Sequence, residues 1–447
     1  MILSENQIEK LAPKPTAFKA GQKLSSASKW SKLARSGRAL WGEIKGSGSK
    51  PYLTEVDLED LAFKCSCPSR QFPCKHAIAL LLVRAQLGDQ IAVELEPEWV
   101  QDWLDKRREK AAKPKKEEKD YTPEEQERQA KGKAKRQESR MVKVNAGVEE
   151  LERWLEDLIR VGLLDLPNRP TKDFETMAAR LVDAQATGLA GWIRSLGQLS
   201  FGEPDKWQKE AMSILGKLFA LVQAWKNYPQ LSPVWQLSLK NLLGWSQSPK
   251  ELKTDTEALA IEDDWIVLGQ EKEHYDGLEI ERTWLWGCSS NQSALNLSFG
   301  NTFSPIVSQF VTGTILQANL AFFPAVLPQR AVLRMQNRLL PSLQQYPEFV
   351  EDGRALLSSE ADQLAINPWL NNQAYLLAQS RLIREEEEWY LLDQSKKLIP
   401  LVSNFPVDKL MYLLALLGAE RRDMALVLRN RKALPLGLFH DQQYISL

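Results

Sequence analysis

Apolar and polar residues alternate in two stretches near the start of the chain, Ala39-Leu40-Trp41-Gly42-Glu43-Ile44 and Tyr52-Leu53-Thr54-Glu55-Val56-Asp57-Leu58. They flank a Lys/Gly/Ser/Pro loop, and period-two alternation around such a loop predicts a β-hairpin. A third strand is expected over 61–67, after a turn at Glu59-Asp60. Pro73-Cys74 then leads into Ala77-Ile78-Ala79-Leu80-Leu81-Leu82-Val83-Arg84, which is apolar almost all round and predicts a buried helix. The order is β-β-β-α. Upstream, residues 4–11 read as a short helix, Pro13 and Pro15 as a turn, and residues 25–35 as a second, basic helix. Downstream, residues 91–104 read as a short helix with Trp99 and Trp103 on one face.

From 105 to about 140 the chain is rich in Lys, Glu, Arg and Gln, with almost no apolar residues. Such a stretch buries too little surface to fold alone, so it reads as a linker, disordered or a solvated helix. Helical spacing resumes with Val148, Leu151, Leu155, Leu158 and Ile159, and again with Phe174, Met177, Ala178, Leu181, Val182 and Ala186. Further amphipathic runs cover 192–199, 207–225 and 234–245, punctuated by prolines, and predict an antiparallel helical bundle. Beyond about 255 the pattern shifts. Residues 265–268, 278–286, 294–299 and 313–323 read as strands. Residues 348–358 and 369–382 read as parts of a long helical stretch. A hairpin over 389–402, a helix over 407–417 and a strand pair near 424–428 and 433–438 close the chain.

The expected fold class is therefore α+β and multi-domain. Residues 1–104 form a metal-finger domain with its core at about 38–86, 105–145 a charged linker, 146–252 a helical domain and 253–447 a C-terminal α+β domain. Composition supports this division: 447 residues exceed one ordinary core, and 43% hydrophobic with 26% charged residues is ordinary for a globular chain. No stretch approaches the ~20 apolar residues needed to span a bilayer, so no membrane association is expected. The N-terminus lacks a basic region followed by an apolar run, which argues against a signal peptide. Four cysteines in this length cannot staple a fold, and a cytoplasmic location is expected. The formal net charge of zero conceals a split, with a basic excess before about residue 143 and an acidic excess after it. A basic half suits nucleic acid or an acidic protein surface equally.

Three of the four cysteines and one of the three histidines fall in a twelve-residue window as Cys65-X-Cys67-X6-Cys74-X-His76. On a strand, Cys65 and Cys67 point the same way, with Ser66 opposite. The loop from Pro68 to Pro73 returns the chain, and Cys74 and His76 enter at a helix start. Three thiolates and one imidazole match a closed tetrahedral site for one structural Zn2+. A catalytic zinc would keep a position open for water, and four protein ligands leave none. The deaminase pattern is also absent, since no His-X-Glu precedes Pro73-Cys74 and no Cys follows at its spacing.

These residues carry a resemblance. Gly42-Glu43-Ile44-Lys45-Gly46-Ser47, Pro51-Tyr52, Phe63-Lys64-Cys65-Ser66-Cys67-Pro68-Ser69 and Phe72-Pro73-Cys74-Lys75-His76-Ala77-Ile78-Ala79-Leu80-Leu81 resemble a SWIM zinc finger over roughly residues 38–86. The blocks 154–163 and 178–186 are similar to the helical region that follows the finger in bacterial SWIM-finger proteins of unassigned role. The resemblance implies a module that binds protein or DNA. It also implies, by association, a setting with AAA-type ATPases and von Willebrand A-domain proteins. The chain itself has no Gly-X4-Gly-Lys-Ser/Thr loop, so no bound nucleotide is expected.

Around the finger, Arg38, Lys45, Lys64, Arg70 and Lys75 are candidates for a partner- or nucleic-acid-binding face. Arg35 and Lys50 stand with them, and Trp30, Trp41, Tyr52 and Phe72 lie between. The alternative for these residues is a solvated face over ordinary core aromatics. Lys131-Gly132-Lys133-Ala134-Lys135-Arg136 is a second basic run. Cys288, with His274 or His440, lacks any recognisable catalytic signature and reads as a buried structural thiol. The expected function is a non-catalytic adaptor; the alternative is an enzyme whose active site lies in 253–447 and is targeted by the finger.

Overall fold

The computed structural model describes all residues except 1, 47, 49, 70, 113–122, 203, 276–277, 302–305 and 307. The first unit opens with helices α1 (Glu5–Leu11) and α2 (Pro15–Gln22). A four-stranded antiparallel sheet follows, β1 (Trp30–Arg35), β2 (Ala39–Ile44), β3 (Tyr52–Asp57) and β4 (Phe63–Cys65), in the order β1-β2-β3-β4. Helix α3 (Lys75–Leu87) packs against it, and α4 (Glu98–Ala112) brings Val100 and Leu104 against Trp41. The expected hairpin and buried helix are present. The basic helix expected over 25–35 is not: the helix lies earlier, and Trp30–Arg35 is an edge strand. Trp30 and Ala34 are buried while Ser31 and Lys32 are exposed, a pattern broken by a bulge and by the left-handed φ of 50° at Lys32. That irregularity hid the period of two. Helix α3 is buried on every side, among Leu3, Ile8, Phe18, Leu40 and Val56.

The charged stretch is helical wherever it is described. Helix α4 runs to Ala112, and α5 (Pro123–Val161) is one helix of 39 residues. Its C-terminal half buries Val144, Val148, Leu151, Leu155 and Leu158 against α6 (Thr171–Asp183), α7 (Thr187–Gly197), α8 (Pro204–Lys226) and α9 (Pro233–Leu242). Ile159 and Val182, both placed on the buried stripes by spacing, instead stay in solvent at 59% and 40% exposure. Each follows a residue that already fills the core, Leu158 or Leu181, and the next position turns about 100° away. A short helix, α10 (Pro249–Thr254), leads out of the bundle.

The C-terminal unit is two packed antiparallel sheets. The five-stranded one contains β5 (Ala260–Tyr275), β6 (Leu278–Gly287), β7 (Ser293–Asn301), β8 (Ile315–Phe322) and β9 (Ala331–Leu340), in the order β7-β6-β5-β8-β9. After α11 (Gly353–Ile366) come β10 (Ala374–Glu385), β11 (Glu388–Leu392), β12 (Leu398–Pro400), α12 (Val407–Leu417), β13 (Arg422–Arg429), β14 (Lys432–His440) and β15 (Gln443–Ser446). These strands pair in the order β12-β11-β10-β13-β14-β15. Ile266, Leu268, Trp284 and Trp286 face Leu376, Val427 and Phe439 across the gap between the sheets. Helices α11 and α12 cover the far side of the second sheet through Leu356, Leu410, Leu413 and Leu417.

Two segments depart from the sequence expectation. Residues 369–382, expected as helix, supply most of β10, and 331–340 form β9. In β10, Ala374 and Leu376 enter one core while Tyr375 and Leu377 enter another. A strand buried on both faces has a continuous apolar run with no alternation to read.

The finger does not hang free. Val311, from the segment before β8, joins the core around Leu3 and Ile8. Gln7 Nε2 and Lys10 Nζ donate to the Thr312 carbonyl and hydroxyl, each at 3.0 Å, and the Leu339 N–H donates to the Glu59 carbonyl. No helix among the described residues is long and apolar enough to cross a membrane.

Candidate metal centre

The site grows out of one register. Strand β3 pairs with β4 so that Thr54 stands opposite Cys65. The chain continues through Cys67 and a loop, then re-enters at Cys74, the N-cap of α3, with His76 in its first turn. His76 Nδ1 lies 3.7 Å from Cys65 Sγ and 4.0 Å from Cys74 Sγ, and the ligand atoms of Cys65, Cys67, Cys74 and His76 all fall within 4.8 Å of one another. A tetrahedral zinc with ordinary Zn–S and Zn–N bonds separates S from N by about 3.6 Å. The donor set therefore fits zinc in both type and spacing, and the chain binds one structural Zn2+. Among the described residues no other such cluster forms.

Burial is graded across the site. Cys74 and His76 are buried at 1% and 6% exposure, whereas Cys65 and Cys67 are half-buried. Cys74 is lowered below the ordinary thiol range first by a hydrogen bond from Cys65, which is raised in turn, and then by His76 and the backbone N–H groups of His76 and Ala77. A helix N-terminus favours the thiolate that zinc needs. The Thr54 hydroxyl lies 3.2 Å from Cys65 Sγ, in position to donate to the bound sulfur, and the Tyr52 ring packs 5.2 Å from the His76 imidazole. These supporting contacts were not foreseen: each depends on β3 register, which no local spacing reveals. With four protein ligands the coordination is closed.

Four of the five basic candidates are described, and two of those four are engaged in ion pairs. Arg38 is tied to Glu96 through bonds of 2.6–3.0 Å, and its other ion pair is to Asp105 at 3.7 Å. Lys64 pairs at 2.7 Å with Glu55, which is 1% exposed, and lies over the Trp103 ring. Arg35 pairs with Asp89. Lys45 and Lys75 remain exposed, Lys45 near the β2–β3 turn and Lys75 beside the zinc ligands; Arg70 lies outside the described residues. Trp30 and Trp41 are core residues, whereas Phe72 is 42% exposed. Next to the metal, an open groove of about 430 Å³ runs between α2 (Thr16, Ala17, Ala20) and the knuckle (Cys67, Pro68, Gln71, Lys75).

The remaining candidates are quiet. Cys288 is 1% exposed, and burial, helped by Asp263 and Asp264, pushes its thiol up to about 12. His274 and His440 face Glu279 and Asp441 at the surface. Lys131 and Arg136 bond within α5.

Comparison with known families matches residues 55–85 to the SWIM zinc finger and residues 139–243 to the SWIM-associated four-helix bundle domain. No curated protein and no solved structure matches the chain. The second match takes in the buried half of α5 through α9. Ligand geometry and the two matches agree: the chain carries a SWIM-type zinc finger, with zinc held by Cys65, Cys67, Cys74 and His76, joined to a SWIM-associated helical bundle.

Proposed function

We propose that the protein is a non-catalytic adaptor whose finger docks a protein segment in the groove beside the zinc. The observation that carries this reading is the division of labour around the metal. Coordination is closed, so the zinc supports structure, while the groove next to it stays open between α2 and the knuckle. A protein partner is favoured over nucleic acid because Arg35, Arg38 and Lys64 are already engaged by Asp89, Glu96 and Glu55, and Trp30 and Trp41 are not free to stack on bases. Phosphate binding depends on uncommitted cations.

The resemblance to bacterial SWIM-finger proteins makes an AAA-type ATPase or a von Willebrand A-domain protein the first partner to test. Each, purified, is titrated with the intact chain and with Ala20→Arg, which fills the groove while leaving the ligands alone. Binding lost in a variant that keeps its zinc supports the reading. Binding unchanged by Ala20→Arg places the partner elsewhere and sinks it. Steeply salt-dependent duplex binding, lost on charge reversal at Lys45 and Lys75, would instead favour nucleic acid.

A further inference from the structure

Away from the finger, a cleft of about 590 Å³ opens where the helical bundle meets the C-terminal sandwich. Its walls are α8 on one side, and α11, the segment before β10 and the β13–β14 turn on the other. Specific contacts span the junction. Trp369 is 6% exposed among bundle side chains, with Nε1 donating to the Lys217 carbonyl at 2.8 Å and its ring edge-on to Trp235. Arg429 is bolted to Glu271 and Asn372. The volume is that of a small-molecule site.

Three charged side chains line this cleft, Lys217 and Glu360 half-buried and Arg431 exposed at its edge. Glu360 feels the charge of both Lys217 and Arg431, yet among the described residues none of the three makes a side-chain hydrogen bond or ion pair. Lys217 otherwise lies over the Trp192 ring, at 5.7 Å. Both Lys217 and Glu360 are partly desolvated, which disfavours their charged forms: burial lowers the first and raises the second. Two half-buried charges without a hydrogen-bonded partner, Lys217 and Glu360, cost free energy that a complementary ligand would recover.

Arg431 adds an independent mark. It is the second residue of the two-residue turn Asn430-Arg431, and both have left-handed φ, 51° and 63°. Glycine is the favoured residue there, and a long side chain strains the backbone. The guanidinium at that position lies beside the cleft.

We propose that this cleft binds a free α-amino acid, its carboxylate held by Lys217 and Arg431 and its ammonium by Glu360. The cations match its carboxylate, and the anion its ammonium, in sign. Asn371 and Gln373 line the same wall and offer amides to the ligand's remaining polar atoms. The site lies outside the finger and does not depend on the adaptor reading.

The test is thermal denaturation of the full zinc-loaded chain with an equimolar mixture of the twenty standard amino acids, then with each alone and its N-acetyl derivative. At least one amino acid should raise the melting temperature, and acetylation of its amine should abolish the rise. Arg431→Gly relieves the turn, so it should melt higher than the parent without ligand yet bind at least about tenfold more weakly. Glu360→Gln should weaken binding comparably. The proposal is overturned if no amino acid raises the melting temperature, or if both variants bind as the parent does. It is also overturned if inorganic phosphate stabilises as well as the amino acid and Glu360→Gln strengthens that effect, the behaviour of a plain anion site.

Discussion

Replacing Cys74 with serine tests how the finger is held together. Serine preserves an N-cap for α3, since its hydroxyl can serve the same backbone N–H groups, but it supplies no thiolate. Structural zinc in finger-type sites contributes on the order of 10 kcal/mol at neutral pH, comparable with the ~5–15 kcal/mol that a whole domain retains. The finger also has a core of its own around Leu3, Ile8, Phe18, Leu40, Val56 and α3. The metal ties β4, which is also paired to β3, to Cys74 at the start of α3. The loss should therefore fall first on residues 63–76. Zinc should drop from about one per chain to a small fraction by elemental analysis. In calorimetry the finger transition should move down by tens of degrees, because about 1 kcal/mol shifts a domain of this size by roughly 4–8 °C. The bundle should keep its own transition, and limited proteolysis should cut first within 63–76. Full zinc occupancy in Cys74→Ser, or a finger transition indifferent to both chelator and variant, would refute the reasoning.

Four further outcomes are expected. Thiol titration of the native zinc form should find no reactive group, chelation should expose Cys65, Cys67 and Cys74, and only denaturation should release Cys288; early labelling of Cys288 would contradict its burial. Glu55 is raised from 4.5 to about 7, chiefly by burial. Its folded pKa lies above its unfolded one, so its contribution to stability is complete below pH 4.5 and is lost as pH rises through 7, by on the order of 3 kcal/mol. Glu55→Gln should flatten that part of the pH–stability curve, and an unchanged slope would fault the assignment. Trp369→Ala should cost about 3–5 kcal/mol and separate the melting of bundle and sandwich, whereas a single unshifted transition would show that the two are not joined there. Gly188, the second residue of α7, lies so close to α9 that an added Cβ would sit 1.9 Å from the Leu242 carbonyl oxygen. Gly188→Ala should lower bundle stability by about 1–3 kcal/mol in chemical denaturation; a neutral result would contradict this close approach.

The sequence by itself determined what depends on near neighbours. The metal, its four ligands and the strand-to-helix setting follow from Cys65, Cys67, Cys74 and His76, because ligands on one short segment must meet whatever the rest of the chain does. The hairpin over β2 and β3, the burial of α3 and the helix α12 follow from local periodicity, since one face or none of each meets water. Tertiary structure decided the rest. Residues 374–377 are a strand, not a helix, because they are buried on two sides by different cores, which erases the alternation a reader could use. Charge alone could not say that Arg38 and Lys64 are spent internally on Glu96 and Glu55 while Lys75 stays exposed, because the partners are 58 and 9 positions away and meet only through sheet and helix packing. Nor could any local signal bring Lys217, Glu360 and Arg431 to one cleft, since they lie on three elements from two units. Backbone and side-chain chemistry act over a few residues and can be read directly; the placement of charges across distant segments exists only once the cores have closed.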